Sequence, residues 1–249
     1  MSQGQLVAGV HSVRTALKHG AGSVLEIWVE ARRRDRRIKE VIGLAKAAGL
    51  RVAQVSREEL DALVPGANHQ GVVARTEVPA ALSEKDLKNL LQDIEDKSFL
   101  LILDVVQDPH NLGACLRSAD AAGVHAVIAP KDRSAGLTPT ACKVACGAAE
   151  SIPFIQVTNL ARTLRWLSEE LGIWLVGTAG EADDELFQVD LKGPLAIVMG
   201  AEEKGMRRLT REACDQLVKL PMAGSVESLN VSVAAGICLF EAVRQRRSS

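Results

Sequence analysis

Three short segments of this 249-residue chain gather side chains that could orient a polar substrate, hold a proton or steady a developing anion. The first carries Asp104, Asp108, Asn111, Gly113 and Arg117, and the second carries Gly200, Glu202 and Gly205. The third, residues 225–234, crowds Ser225, Glu227, Ser228, Asn230 and Ser232 into a place where a helix start needs one cap. Each lies at the end of an apolar, strand-like run, where α/β proteins put their ligand sites. Each also has an ordinary local explanation. Asn111 would cap a helix beginning at Leu112, with Arg117 a surface residue paired to Asp120 three positions on. The loop 200–205 would be a tight acidic turn, and Ser228 would cap a helix with Asn230 in its first turn. Three such segments in one half of the chain make three unrelated local explanations hard to sustain.

Several function classes are disfavoured. The glycine spacing of 200–205 resembles a P-loop, but Met206 and Arg207 stand where Lys and Ser/Thr are required. No GxGxxG follows a strand, and the glycine-rich run 177–180 is too short for a dinucleotide fingerprint. The five cysteines form no CxxC, and Cys142 and Cys146 lack the further ligands of a zinc site. They read as small buried residues of a reducing compartment, with no metal expected. Aromatics make up 3% of residues and Tyr is absent, which argues against recognition of nucleic acid mainly by base stacking. The net charge is −1, so any RNA contact must come from local patches. Residues 32–37 with Lys39 are the densest basic cluster, which a solvated helix start would also explain. Lys131, Arg133, Arg207, Arg208 and Arg211 are nearer the motifs. The first residues lack the pattern of a signal peptide, and no apolar run reaches the ~20 residues of a membrane span. A cytoplasmic protein without a membrane partner is expected.

The elements that would position these groups follow from hydrophobic periodicity. With 47% hydrophobic and 24% charged residues, the chain has the profile of a globular protein with a sizeable core. Residues 6–10, 24–30, 51–55 and 70–78 read as strands, and 11–18 and 35–48 as helices. Ser56 and Glu59 form a capping box for a short helix ending near Pro65. This makes a small α/β domain over 1–78. A charged linker, partly helical with Ser83 as its cap, covers 79–97. From 98 to 249 the texture changes to near-continuous apolar runs at 99–106, 126–129, 173–176, 195–199 and 216–220, the mark of strands covered on both faces. Helical patterns at 112–122, 160–171 and 229–246 lie between or after them, which predicts a parallel sheet with helices on both sides.

Taken together, the three segments resemble the motifs of the SpoU class of RNA ribose 2′-O-methyltransferases, in the SPOUT superfamily. Asn111, Gly113 and Arg117 match the first motif, and Gly200, Glu202 and Gly205 the second. Pro221, Met222, Gly224, Ser225 and residues 228–234 match the third. The resemblance covers nearly the whole chain and is weakest over 32–63 and the linker. It implies a C-terminal α/β domain with a deep trefoil knot, preceded by a ribosomal-protein-like RNA-binding domain. It further implies S-adenosylmethionine as cofactor, a homodimer, and as target a guanosine in the peptidyl-transferase region of 23S rRNA, free or in a ribosome assembly intermediate. On the same resemblance, Arg117, Asn111, Glu202, Ser228 and Asn230 are the catalytic set. Gly200, Leu220, Leu229, Thr178, Gly180 and Met222 are the cofactor-contacting positions. A transfer-RNA ribose methyltransferase shares these motifs, and a non-catalytic ribosome-assembly protein could share the fold.

Overall fold

A computed structural model of the chain describes residues 4–19, 21–33, 35–94, 98–201 and 204–247. It divides into two compact units: Met1–Ala80 with Leu137–Ser151, and Ala81–Gly136 with Ile152–Ser249.

The first unit contains β1 (Gln5–Ala8), α1 (Val10–His19), β2 (Val24–Glu30), α2 (Arg36–Ala47), β3 (Val52–Val55), α3 (Arg57–Leu63) and β4 (Val72–Thr76). Its sheet runs β1-β4-β2-β3, antiparallel except for the β2–β3 pair. The helical spacing of Ile38, Val41 and Ala45 buries one stripe of α2, while Asp35 caps it by accepting from the Arg37 and Ile38 amides. The expected Ser56–Glu59 capping box closes on α3. Further along the chain, α6 (Pro139–Ala145) and α7 (Ala148–Ser151) also pack with this unit.

In the second unit, α4 (Glu84–Gln92) opens on a second capping box, Ser83 with Asp86. Then follow β5 (Phe99–Leu103), α5 (Pro109–Ala122), β6 (Ala126–Pro130), β7 (Phe154–Val157), α8 (Leu160–Arg165) and β8 (Trp174–Thr178). The chain continues through β9 (Asp184–Glu185), β10 (Leu195–Met199), α9 (Arg208–Glu212) and β11 (Gln216–Lys219) to α10 (Val231–Arg247). A π turn at Trp166–Glu170 extends α8. The sheet order is β7-β6-β5-β10-β8-β11-β9, and every pairing is parallel. All residues of β5, β6 and β10 are buried, as their unbroken apolar runs demand. Because the strands are parallel, their C-terminal ends share one edge, and all three motif segments emerge there.

Two helix starts differ from expectation. Asp108, rather than Asn111, caps α5: its carboxylate accepts from the His110 amide, and Pro109 takes the first helical position, where no N–H is needed. Asn111 therefore sits inside the first turn. At α10, Asn230 takes the cap expected of Ser228. Its Oδ1 accepts from the Ser232 amide at 3.0 Å and its carbonyl from Val233 and Ala234.

Candidate active site

The second motif leaves β10 through a closed loop. Ala201 and Gly205 exchange two backbone hydrogen bonds of 3.1 and 2.9 Å, which pin the neck. A Cβ on Gly200 would lie 2.2 Å from the Gly205 carbonyl carbon and the Met206 nitrogen, so only glycine fits there. Gly205 has a φ of +60°, which closes the loop at little steric cost. Glu202, inside this loop, lies outside the described residues. Beyond the neck, Arg207 is fastened to Asp104 at the end of β5: its amide and Nε each donate at 2.8 Å, and Nη2 lies 2.7 Å from Oδ1. Asp104 is fully buried, so this pair ties the loop to the floor of the sheet.

A cavity of about 500 Å³ opens at the ends of β8, β10 and β11. Thr178, Gly180, Gly200, Leu220, Met222 and Leu229, the six expected cofactor positions, all border it. Ser228 borders it too, together with Met199, Lys204, Met206 and Val231. Lys204 and Val231 lie within the motif segments and Met199 and Met206 beside them, and the sequence singles out none of the four as a cofactor position. Apolar side chains beside strand ends and a glycine backbone, with Glu181, Arg211, Lys219 and Glu227 also on the lining, suit a ligand with an aromatic ring and several polar or charged groups.

A second cavity of about 600 Å³ lies beside the first and is bordered by Val105, Asp108, Asn111, Arg133 and Arg207. Ala201, Lys204, Gly205, Met206 and Val231 border both, so the loop and the start of α10 form the partition. Beside this partition the first and third motifs meet: Asn230 Nδ2 donates to Asn111 Oδ1 at 2.9 Å, across 119 residues of chain, with Asn111 on the second cavity and Asn230 bordering neither. Asn230 thus serves two ends, capping α10 with one side-chain atom and holding Asn111 with the other. The expected catalytic set is joined in part. Asn111 and Asn230 are bonded, Ser228 faces the first cavity, and Arg117 is exposed on α5 and borders neither cavity.

Cysteine chemistry is disfavoured by burial. It pushes the thiols of Cys115, Cys214 and Cys238 up to about 12 and that of Cys142 to about 11, so none of the four offers a thiolate near neutral pH. No group of three or more metal-ligating side chains occurs among the described residues.

A parallel sheet with ligand-sized cavities at its C-terminal edge, partitioned by glycine-rich and amide-rich loops, defines an α/β enzyme domain. Residues 98–240 match the SpoU rRNA Methylase family, and residues 6–80 match the RNA 2′-O ribose methyltransferase substrate-binding family. The chain belongs to the SpoU rRNA methylase family. It is 59% identical over 248 residues, 100% of each chain, to the 23S rRNA (guanosine-2′-O-)-methyltransferase RlmB of Shewanella oneidensis. It is also 59% identical to the RlmB of Ralstonia nicotianae, over 99% of this chain and 98% of that one. Among solved structures, the SpoU methyltransferase AviRb from Streptomyces viridochromogenes with AdoMet aligns at a TM-score of 0.76 and 28% identity. It covers 100% of this chain and 92% of that one.

Proposed function

We propose that this chain methylates the ribose 2′-hydroxyl of a guanosine in 23S rRNA, in the peptidyl-transferase region, using S-adenosylmethionine. The observation that carries this reading is the Asn111–Asn230 bond, which ties the wall of the second cavity to the start of α10, where Val231 borders both cavities. It holds the Asn111 amide in the place for the target nucleoside, next to the place for the cofactor. The full-length likeness to two 23S rRNA guanosine methyltransferases favours ribosomal over transfer RNA.

In this reading Thr178, Gly180, Gly200, Leu220, Met222 and Leu229 hold the cofactor. The strand-end N–H and C=O groups read its adenine edge, while the two leucines and Met222 cover its apolar surface. When bound, S-adenosylmethionine supplies a methyl group activated by its sulfonium. The residues must then position the ribose and ease the proton off its hydroxyl, because a neutral hydroxyl is a weak nucleophile. Asn111 and Asn230 orient the ribose, and Glu202 and Ser228 are assigned to the same catalytic set by their motifs. Arg117 acts as a fixed cation for the developing alkoxide; a guanidinium that stays protonated suits this better than service as a base.

Residues 6–80 are assigned to RNA substrate binding, and the enzyme works in the cytoplasm on rRNA or an assembly intermediate. The knotted path belongs to the same reading: β10 enters the sheet between β5 and β8, both of which precede it, as a threaded C-terminal half would. So does a homodimer formed through α10. Apolar residues run all round this helix, and Val233 and Phe240, seven positions apart on one face, are 51% and 50% exposed.

The test is a map of 2′-O-methylation on 23S rRNA from cells lacking the protein. One guanosine should lose its methyl group and regain it when the purified protein and S-adenosylmethionine are added. An unchanged rRNA map alongside an altered transfer-RNA map would reject this target in favour of the tRNA alternative.

A further inference from the structure

The Asn111 cavity has a neighbour on its far side. A hollow of about 320 Å³ lies between the ends of β6 and β7 and the start of α9, bordered by Pro130, Asp132, Thr158, Asn159, Leu209 and Arg207. Arg207 borders the hollow and the cavity alike, so this residue forms the ridge between them. This ridge is held still. Its amide, Nε and Nη2 are all committed to Asp104, which is 0% exposed and whose own amide donates to the Met199 carbonyl. Nη1 has no protein partner among the described residues, and the side chain as a whole is 39% exposed. The rim of the cavity is strained as well. Val105 and Arg133 both border it with φ of 54° and 58°, a region that non-glycine residues rarely enter and a β-branched residue more rarely still. The two loops that carry them are joined by the Ala135 amide donating to the Val106 carbonyl at 2.8 Å.

A guanidinium fixed between two depressions fits one chemical group well: the phosphodiester between two nucleosides. We propose that a dinucleotide step of single-stranded RNA straddles Arg207. The target nucleoside lies in the Asn111 cavity, and its neighbour in the hollow beside Thr158 and Leu209. The inference rests on the reading of this chain as an RNA ribose methyltransferase. Asp104 cancels the net charge of Arg207, so Arg207 contributes directed donors, and long-range attraction comes from the exposed Lys131 and Arg133 nearby. Arg208 adds less because it is paired with Glu212 at 2.7 Å, and Asp132 opposes it from the rim. Leu209, 48% exposed at the mouth of the hollow, offers apolar surface to a base.

The test uses the full-length protein saturated with S-adenosylmethionine and a short rRNA fragment containing the target guanosine. A single uncharged methylphosphonate linkage is walked along the fragment. At one of the two linkages flanking the target, KM should rise about tenfold, the scale of one lost charge-assisted contact. The paired variant Arg207→Gln with Asp104→Asn, which leaves no buried charge alone, should be insensitive to that same linkage. Leu209→Asp, at an exposed position where folding is not at stake, should raise KM several-fold and leave S-adenosylmethionine affinity unchanged by calorimetry. No penalty at either flanking linkage, an equal penalty in the paired variant, or an unchanged KM in Leu209→Asp would overturn the proposal while leaving the methyltransferase reading intact. Failure of the wild-type protein to methylate the unmodified fragment would instead count against that reading.

Discussion

At the scale of single residues, the informative group is Asn230, which caps α10 and also donates to Asn111. The two jobs can be separated. Asp is as good a cap as Asn, but it cannot donate a hydrogen bond to the Asn111 carbonyl. Asn230→Asp should keep its thermal midpoint near the wild-type value and lose roughly tenfold in methyl-transfer rate, as expected for one site hydrogen bond. Asn230→Ala should lose the same activity and about 1 kcal/mol of stability as well. Thermal melts beside a radiolabelled methyl-transfer assay decide this. If Asn230→Asp keeps full activity, the Asn–Asn bond is structural only. Asn111 and Asn230 were both legible as candidates in the sequence because they are polar residues at strand ends. Their direct contact was not, since nothing local links residues 119 positions apart. The mistaken cap at Asn111 had a local cause: Asp108-Pro109 supplies a cap and a first helical residue three positions earlier.

At the scale of elements, α4 is secured to the end of β7 by one carboxylate. Glu84 accepts from the Thr158 amide at 2.9 Å and its hydroxyl at 2.8 Å, and pairs with Arg162 at 3.0 Å. These partners, the Thr158 amide first, hold its pKa below the ordinary 4.5. The folded-state value is depressed, so its stabilisation is present above about 4.5 and is lost as pH falls through the lowered value. Glu84→Gln should therefore cost roughly 0.5–1 kcal/mol at pH 7, a solvent-screened value, and progressively less as acid protonates the wild-type carboxylate. Urea melts across this range test it; a cost that stays constant with pH would show that charge plays no part. The strands β5, β6 and β10 were readable as buried runs, and the capping box of α3 and the Ser83 cap of α4 as local patterns. β7 was overlooked because it is four residues long and contains a polar Gln156, and it becomes a strand through pairing with β6 and a bridge to Leu82.

At the scale of the whole molecule, the question is what covers α10. If the homodimer forms through this helix, Phe240→Glu should shift the protein toward monomer in light scattering at micromolar concentration. The loss should be several kcal/mol of association energy if Phe240 is central to the interface. An unchanged mass would move the interface elsewhere. Arg117 belongs to this scale too. It stands on α5, which packs against α10, and borders neither cavity.

By itself, the sequence determined the α/β class, the parallel sheet and the three segments that converge on one edge, because burial on both strand faces and helix capping are written in residues close together in the chain. Only the tertiary structure decided how those segments partition space. It showed that one loop and one helix start divide two cavities, that Asn230 reaches Asn111, and that Asp104 anchors Arg207 between the Asn111 cavity and the hollow beside Leu209. The order β5-β10-β8 sets residues about a hundred positions apart side by side, and the spacing of side chains along a chain carries no record of such neighbours.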